Sequence, residues 1–141
     1  MVQDTREQSP WIFEGLTQRK NKQDVPLAVE VVIDTLQTGD YSIRGHEHRI
    51  TIERKSSHDL IGTVSHDRDR FIRELERMAE MPHSFVVVES EWQSVLLDCW
   101  TTTNYNPKSL DSSILAWQLK YPTQWLFRPN KFAAMKTAYK I

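Results

Sequence analysis

The chain has one cysteine, Cys99, among 141 residues. That excludes an intramolecular disulfide and any all-cysteine zinc site. No apolar run is long enough to span a membrane, and no secretory signal is recognisable. A reducing, cytoplasmic setting is therefore expected. Internal repeats and low-complexity linkers are missing too, so residues 1–141 are expected to form one domain with an ordinary core. A strong charge of one sign is also lacking: the net charge is −1, which does not by itself advertise nucleic-acid binding. That total hides an uneven distribution. Residues 104–141 carry Lys108, Lys120, Arg128, Lys131, Lys136 and Lys140 against Asp111 alone, whereas residues 74–100 lean acidic. Local basic patches can contact phosphates whatever the total, so the low net charge leaves DNA open as a partner.

The most informative stretch runs from Gly39-Asp40 to Glu53-Arg54-Lys55 and Asp59. Tyr41 to Ile43 and Ile50 to Ile52 are β-prone. Arg44-Gly45-His46-Glu47-His48 between them reads as a hairpin turn. Folding the strands symmetrically about that turn puts Asp40 opposite Glu53. Alternation then sorts Tyr41, Ile43, Ile50, Ile52 and Arg54 onto one face. Asp40, Ser42, Thr51, Glu53 and Lys55 fall on the other, a polar face expected to meet water, metal or substrate.

Facing carboxylates repel unless a cation or proton sits between them. Hard oxygen ligands of this kind suit Mg²⁺ or Mn²⁺, which keep several waters and bind phosphate oxygens. Lys55 lies two residues beyond Glu53 and points the same way. There it would orient an attacking water or offset charge on a phosphate. Taken alone, Asp, Glu and Lys on one strand face also describe an ordinary solvated hairpin.

The longer pattern, Gly39-Asp40 followed by Glu53-Arg54-Lys55-Ser56-Ser57-His58-Asp59, resembles the signature GDX(n)ERKX(3)D of the XPF-type structure-specific endonucleases, within the PD-(D/E)XK nuclease superfamily. Val2-Gln3-Asp4-Thr5-Arg6-Glu7 resembles that family's first strand and DxRE motif. Arg70-Phe71 and Glu74 sit where the family has an arginine-led helix, and Phe85 to Glu89 where it has its next core strand. The specific likeness covers residues 1–90, with 91–141 completing the domain. It implies an α/β, restriction-endonuclease-like fold: a mixed central sheet flanked by helices.

The resemblance also implies roles. Asp40 and Glu53 are expected to bind Mg²⁺ or Mn²⁺, with Asp4 completing the shell directly or through water. Lys55 is the expected catalytic lysine, with Glu7 and Arg54 as further catalytic candidates. Arg54 has a second reading, a structural ion pair beneath the site. Arg6, Arg70 and Trp11 are expected to meet DNA, and Asp59 to brace the site by starting a helix. The implied substrate is branched DNA (flaps, forks or recombination intermediates) handled in repair, recombination or replication by a bacterial or phage protein. Many family members carry a helix-hairpin-helix domain after the nuclease domain. No such domain is expected here, so a homodimer mate, a protein partner or residues 100–141 would read DNA shape. The alternative function is a non-catalytic DNA-binding or partner-binding subunit. The intact set Asp40, Glu53, Arg54, Lys55 and Asp59 favours catalysis.

Elsewhere, strands are expected at 28–33, 84–89 and 124–127, and helices at 67–81, 91–99, 110–121 and after Asn130. Thr101 to Pro107 reads as a loop. His46 and His48 lack a second ligand pair and read as a solvated turn rather than a zinc site. Trp92, Trp117 and Trp125 read as core. Trp11 follows the DxRE motif and is expected to line the substrate path. The segment from Thr17 to Asp24 reads as a flexible polar loop, with a DNA-gripping loop as its second reading.

Overall fold

The computed structural model describes residues 1–141, and its centre is the most apolar strand in the sequence. His83–Val88 (β7) buries Val86, Val87 and Val88 completely. Such a run must be covered on both faces. Ile50–Lys55 (β6) lies parallel to it along all six residues, from Ile50 opposite His83 to Lys55 opposite Val88. The remaining sheet strands are Val2–Asp4 (β1), Val32–Asp34 (β4), Tyr41–Ser42 (β5) and Gln124–Phe127 (β8). The six strands run in the order β4-β1-β5-β6-β7-β8. Only the β1–β5 and β5–β6 pairings are antiparallel. The expected mixed sheet flanked by helices is present.

Each face has its own core. Ser57–Ser65 (α1), Arg68–Ala79 (α2), Trp92–Thr102 (α3) and Pro107–Lys120 (α4) supply Leu60, Phe71, Leu75, Met78, Val95 and Leu110 to one side, around Val86 and Val88. Trp11, Phe13, Leu16 and Lys131–Lys140 (α5) cover the other, around Tyr41, Ile52 and Val87. The spacing of Phe71, Leu75 and Met78 that marked α2 is the stripe it buries. Trp117 is buried, and Trp92 and Trp125 pack against the same core. No helix is long and apolar enough to cross a membrane.

Four expectations need correcting. The strand at 28–33 contracts to Val32–Asp34, because its partner β1 offers only three residues. Helix α3 runs past Cys99, since Thr101 and Thr102 return hydroxyl bonds to the carbonyls of Leu97 and Asp98. Helix α4 begins at Pro107 rather than 110. Asn106 caps it, and proline suits a first turn that needs no N–H. The segment from Thr17 is a hairpin, not a loop: Thr17–Lys20 (β2) pairs with Gln23–Pro26 (β3) in a separate two-stranded sheet.

The strands Tyr41–Ser42 and Ile50–Lys55 put Tyr41 opposite Ile52, and the Asp40 N–H also reaches the Ile52 carbonyl, which brings Asp40 and Glu53 to the wall of one cavity. The polar face differs from expectation. Ser42 and Thr51 are buried and satisfied by backbone carbonyls, of Ile50 at 2.6 Å and Thr38 at 3.0 Å. Gly39 permits this closeness. Its φ is +73°, and a Cβ there would collide with the Thr51 hydroxyl and lie 3.1 Å from the Ile52 carbonyl oxygen. Gly39→Ala is expected to cost about 2–4 kcal/mol, from left-handed strain and overpacking together. Urea unfolding of the purified variant measures it.

Candidate active site

Backbone bonds from two neighbouring strands fix Asp40. Its N–H donates to the Ile52 carbonyl at 2.9 Å, and its carbonyl accepts from the Asp4 N–H at 2.8 Å. The side chain is steered as well: the Arg54 N–H donates to Asp40 Oδ2 at 2.7 Å. Glu53, nearly buried, faces it from β6. Lys55 Nζ donates to Glu53 Oε1 at 2.7 Å and lies 4.8 Å from the centroid of the Phe71 ring. Asp40 Oδ1 and Glu53 Oε2 have no hydrogen-bond partner in the protein.

The electrostatics follow from burial and crowding. Burial, reinforced by the Glu53 charge, raises the Asp40 pKa to about 8. Burial also raises Glu53, against the opposing pull of Lys55. Burial disfavours the Lys55 ammonium, yet Glu53 holds its pKa above the ordinary lysine value. A buried and a half-buried carboxylate, each with a free oxygen, fit a hard divalent cation. The site provides few protein ligands: no group of three His, Cys, Asp or Glu side chains is placed to hold a metal.

A cavity of about 440 Å³ opens over this pair. It brings together Asp40, Glu53 and Lys55 with Asp4, Arg6, Glu7, Arg54, Asp59 and Arg70, all singled out in the sequence. Gln8, Gly39, Phe71, Glu74 and Arg77 complete its wall.

Geometry redistributes several of the expected roles. Asp4 is too fully engaged to complete a metal shell. Its oxygens accept from Arg6 Nε at 2.6 Å, Arg6 Nη2 at 2.9 Å, the Arg6 N–H at 2.8 Å and the Leu36 N–H at 2.7 Å. Burial would raise its pKa, but these donors hold it below the usual carboxylate range. Arg54 forms the ion pair beneath the site: Nε and Nη2 donate to Glu89 at 2.8 and 2.7 Å, and Nη1 lies 3.7 Å from Glu7. Glu7 thus faces Arg54, and it also accepts from the Ser9 N–H at 2.6 Å. Trp11 does not line a substrate path. It is 1% exposed, stacks on Tyr41 with ring centroids 4.6 Å apart, and donates from Nε1 to Glu89 at 2.6 Å. An indole between two apolar strands gains more from the core than from solvent. Asp59 does start a helix. With Ser56 it forms a capping box at the head of α1. Arg6 and Arg70 stay largely exposed at the cavity rim.

Glu74 and Glu89 carry roles that sequence reasoning missed. Glu74 accepts from the Thr38 hydroxyl and from the Gly39 N–H at 3.0 Å, clamping the turn before Asp40 against α2. A signal existed: Glu74 lies three residues after Phe71 and four before Met78, an acid within the apolar stripe. Glu89 ends an apolar run that otherwise predicts nothing but burial.

The raised pKa of Asp40 has a sign that can be measured. Between the unfolded value near 4 and the folded value near 8, the folded protein holds a proton that the unfolded chain releases. This contribution is complete at low pH and is lost as pH rises toward 8. In chelator, the parent should lose stability relative to Asp40→Asn over that window, at no more than about 1.4 kcal/mol per pH unit. Saturating Mg²⁺ should flatten the difference. Denaturant titrations from pH 5 to 8 test both points.

The ERCC4 domain matches residues 3–137. The XPF protein from Aeropyrum pernix is similar in structure, with a TM-score of 0.63 at 21% identity over 79% of this chain. XPF from Aeropyrum pernix in complex with DNA gives 0.61 at 22% identity, also over 79%. The chain spans about half the length of these two structures, 48% and 50%. No curated protein sequence matches it. A mixed sheet of this order, a family match over nearly every residue and a shared architecture converge: the chain belongs to the ERCC4-domain family and has the fold of an XPF-type nuclease domain.

Proposed function

We propose that this protein is a metal-dependent DNA endonuclease that hydrolyses phosphodiester bonds, with branched DNA such as flaps, forks or recombination intermediates as its substrate. The observation that carries the reading is that Asp40 and Glu53 line one cavity, each with an oxygen free of hydrogen bonds, with the Lys55 ammonium 2.7 Å from Glu53. The family match and the similarity to an XPF structure with DNA support it.

Asp40 and Glu53 would hold Mg²⁺ or Mn²⁺ through those oxygens. When bound, such an ion neutralises charge on the scissile phosphate and makes water a better nucleophile. Lys55, tethered to Glu53, presents N–H donors to the attacking water or to a phosphate oxygen as negative charge grows there. Water oxygen bonds to phosphorus, the bond to the leaving oxygen breaks, and the water's protons pass to solvent and to that oxygen. Arg6, Arg70 and Arg77, at the rim, attract the flanking phosphates. Arg54 contributes beneath the site, its backbone N–H aiming Asp40 while its guanidinium grips Glu89. Asp4 orients Arg6.

Labelled duplex, flap, fork and four-way-junction DNA incubated with Mg²⁺, Mn²⁺ or EDTA tests the proposal. Cutting should require the metal and favour a branched substrate. Asp40→Asn and Lys55→Ala should each lower the rate by roughly 100–1,000-fold or more. Glu53→Gln should raise the metal concentration needed for half-maximal cutting, while Asp4→Asn leaves that concentration unchanged. DNA binding without cutting in either metal would replace an enzyme with a binding subunit.

A further inference from the structure

The β2–β3 hairpin is structurally costly unless it meets something. All its residues but Val25 are exposed, and it joins no other sheet. An isolated two-stranded hairpin without an apolar face is marginal in water. Its register places Arg19 beside Asp24 and Lys20 beside Gln23, with Asn21 and Lys22 at the tip. Both tip residues have positive φ, +50° and +66°. That is the two-residue turn suited to hairpin twist, and it favours glycine at the second position. Here a lysine occupies it. Three cations, Arg19, Lys20 and Lys22, face one acid. The Arg19–Asp24 pair is 3.7 Å long with both side chains mostly exposed, so it neutralises little.

The arm follows the cavity wall along the chain. Glu7 and Gln8 line the cavity wall. The Ser9 carbonyl accepts from the exposed Lys131 Nζ at 3.0 Å. Trp11, Phe13 and Leu16 are then buried as a rigid plinth that ends where β2 begins. The Leu27 N–H closes the base by donating to the Leu16 carbonyl at 2.9 Å.

We propose that this hairpin is a DNA-gripping arm that takes the phosphate backbone of a double-stranded part of the substrate. The inference rests on the nuclease reading and adds a binding element to it. A duplex fits better than a single strand, because the arm carries no aromatic side chain on which bases could stack. A two-stranded ribbon also has the width of a major groove.

Lys22→Gly separates folding from binding, since glycine relieves the turn and removes the charge. It should melt at or above the parent temperature and bind a short labelled duplex more weakly. The triple variant Arg19→Gln, Lys20→Gln, Lys22→Gly should weaken duplex binding about tenfold near 0.1 M salt. It should also reduce the slope of log affinity against log salt by roughly 2–3. Anisotropy in EDTA, where nothing is cut, measures both, with a labelled single strand in parallel. A triple variant that binds duplex like the parent, with the same slope, overturns the arm. So does a loss confined to the single strand. If the parent cuts DNA while the variant binds unchanged, only the arm falls. If the parent binds no DNA, the nuclease reading falls with it.

Discussion

Two carboxylates share one cavity wall where an antiparallel pairing begins, and backbone hydrogen bonds hold them there. Asp40 cannot retreat, because its peptide groups are bonded to Ile52 on one side and to Asp4 on the other. Glu53 cannot retreat either, being part of a strand paired with β7 at all six positions. The sheet therefore stores a repulsion that a proton or a cation relieves. Much of the surrounding structure maintains this opposition. Gly39 allows the turn to close on β6, Glu74 clamps that turn to α2, and Lys55 supplies the nearest compensating charge.

The two faces of β6 divide the labour. Glu53 and Lys55 face the cavity. Arg54 is held beneath them by Glu89, which also receives the Trp11 indole N–H. The short sequence Glu53-Arg54-Lys55 thus joins a reactive surface to the core beneath it. A buried guanidinium needs paired acids, and Glu7 and Glu89 supply them from the segments after β1 and β7. Three chain segments distant in sequence are thereby tied together under the site.

Much of this was legible in the sequence because it depends on local period. Alternation about the Gly45 turn placed Asp40 opposite Glu53 and separated Arg54 from Lys55. Helical spacing found α2, and an unbroken apolar run found β7. What stayed hidden depends on distant partners. Asp4 reads as a metal ligand until the Leu36 N–H, thirty-two residues away, is seen to occupy it. Trp11 reads as a surface aromatic until Tyr41 and Glu89 close around it. The polarity of Thr17 to Asp24 suggested a loop, because β pairing without an apolar face leaves no alternation to detect.

The order in which the chain emerges gives the second core a further meaning. The whole signature has been synthesised by Asp59, yet its strand lacks a parallel neighbour until Val88 is made. Tyr41 and Ile52, the residues directly beneath the carboxylate pair, stay partly uncovered until Ala134, Met135 and Ala138 of α5 arrive. A growing chain therefore carries every reactive residue long before it carries a reactive site. Assembly of that site is tied to a segment translated well after the signature, so a nascent fragment presents carboxylates and lysine without the geometry that would make them act together.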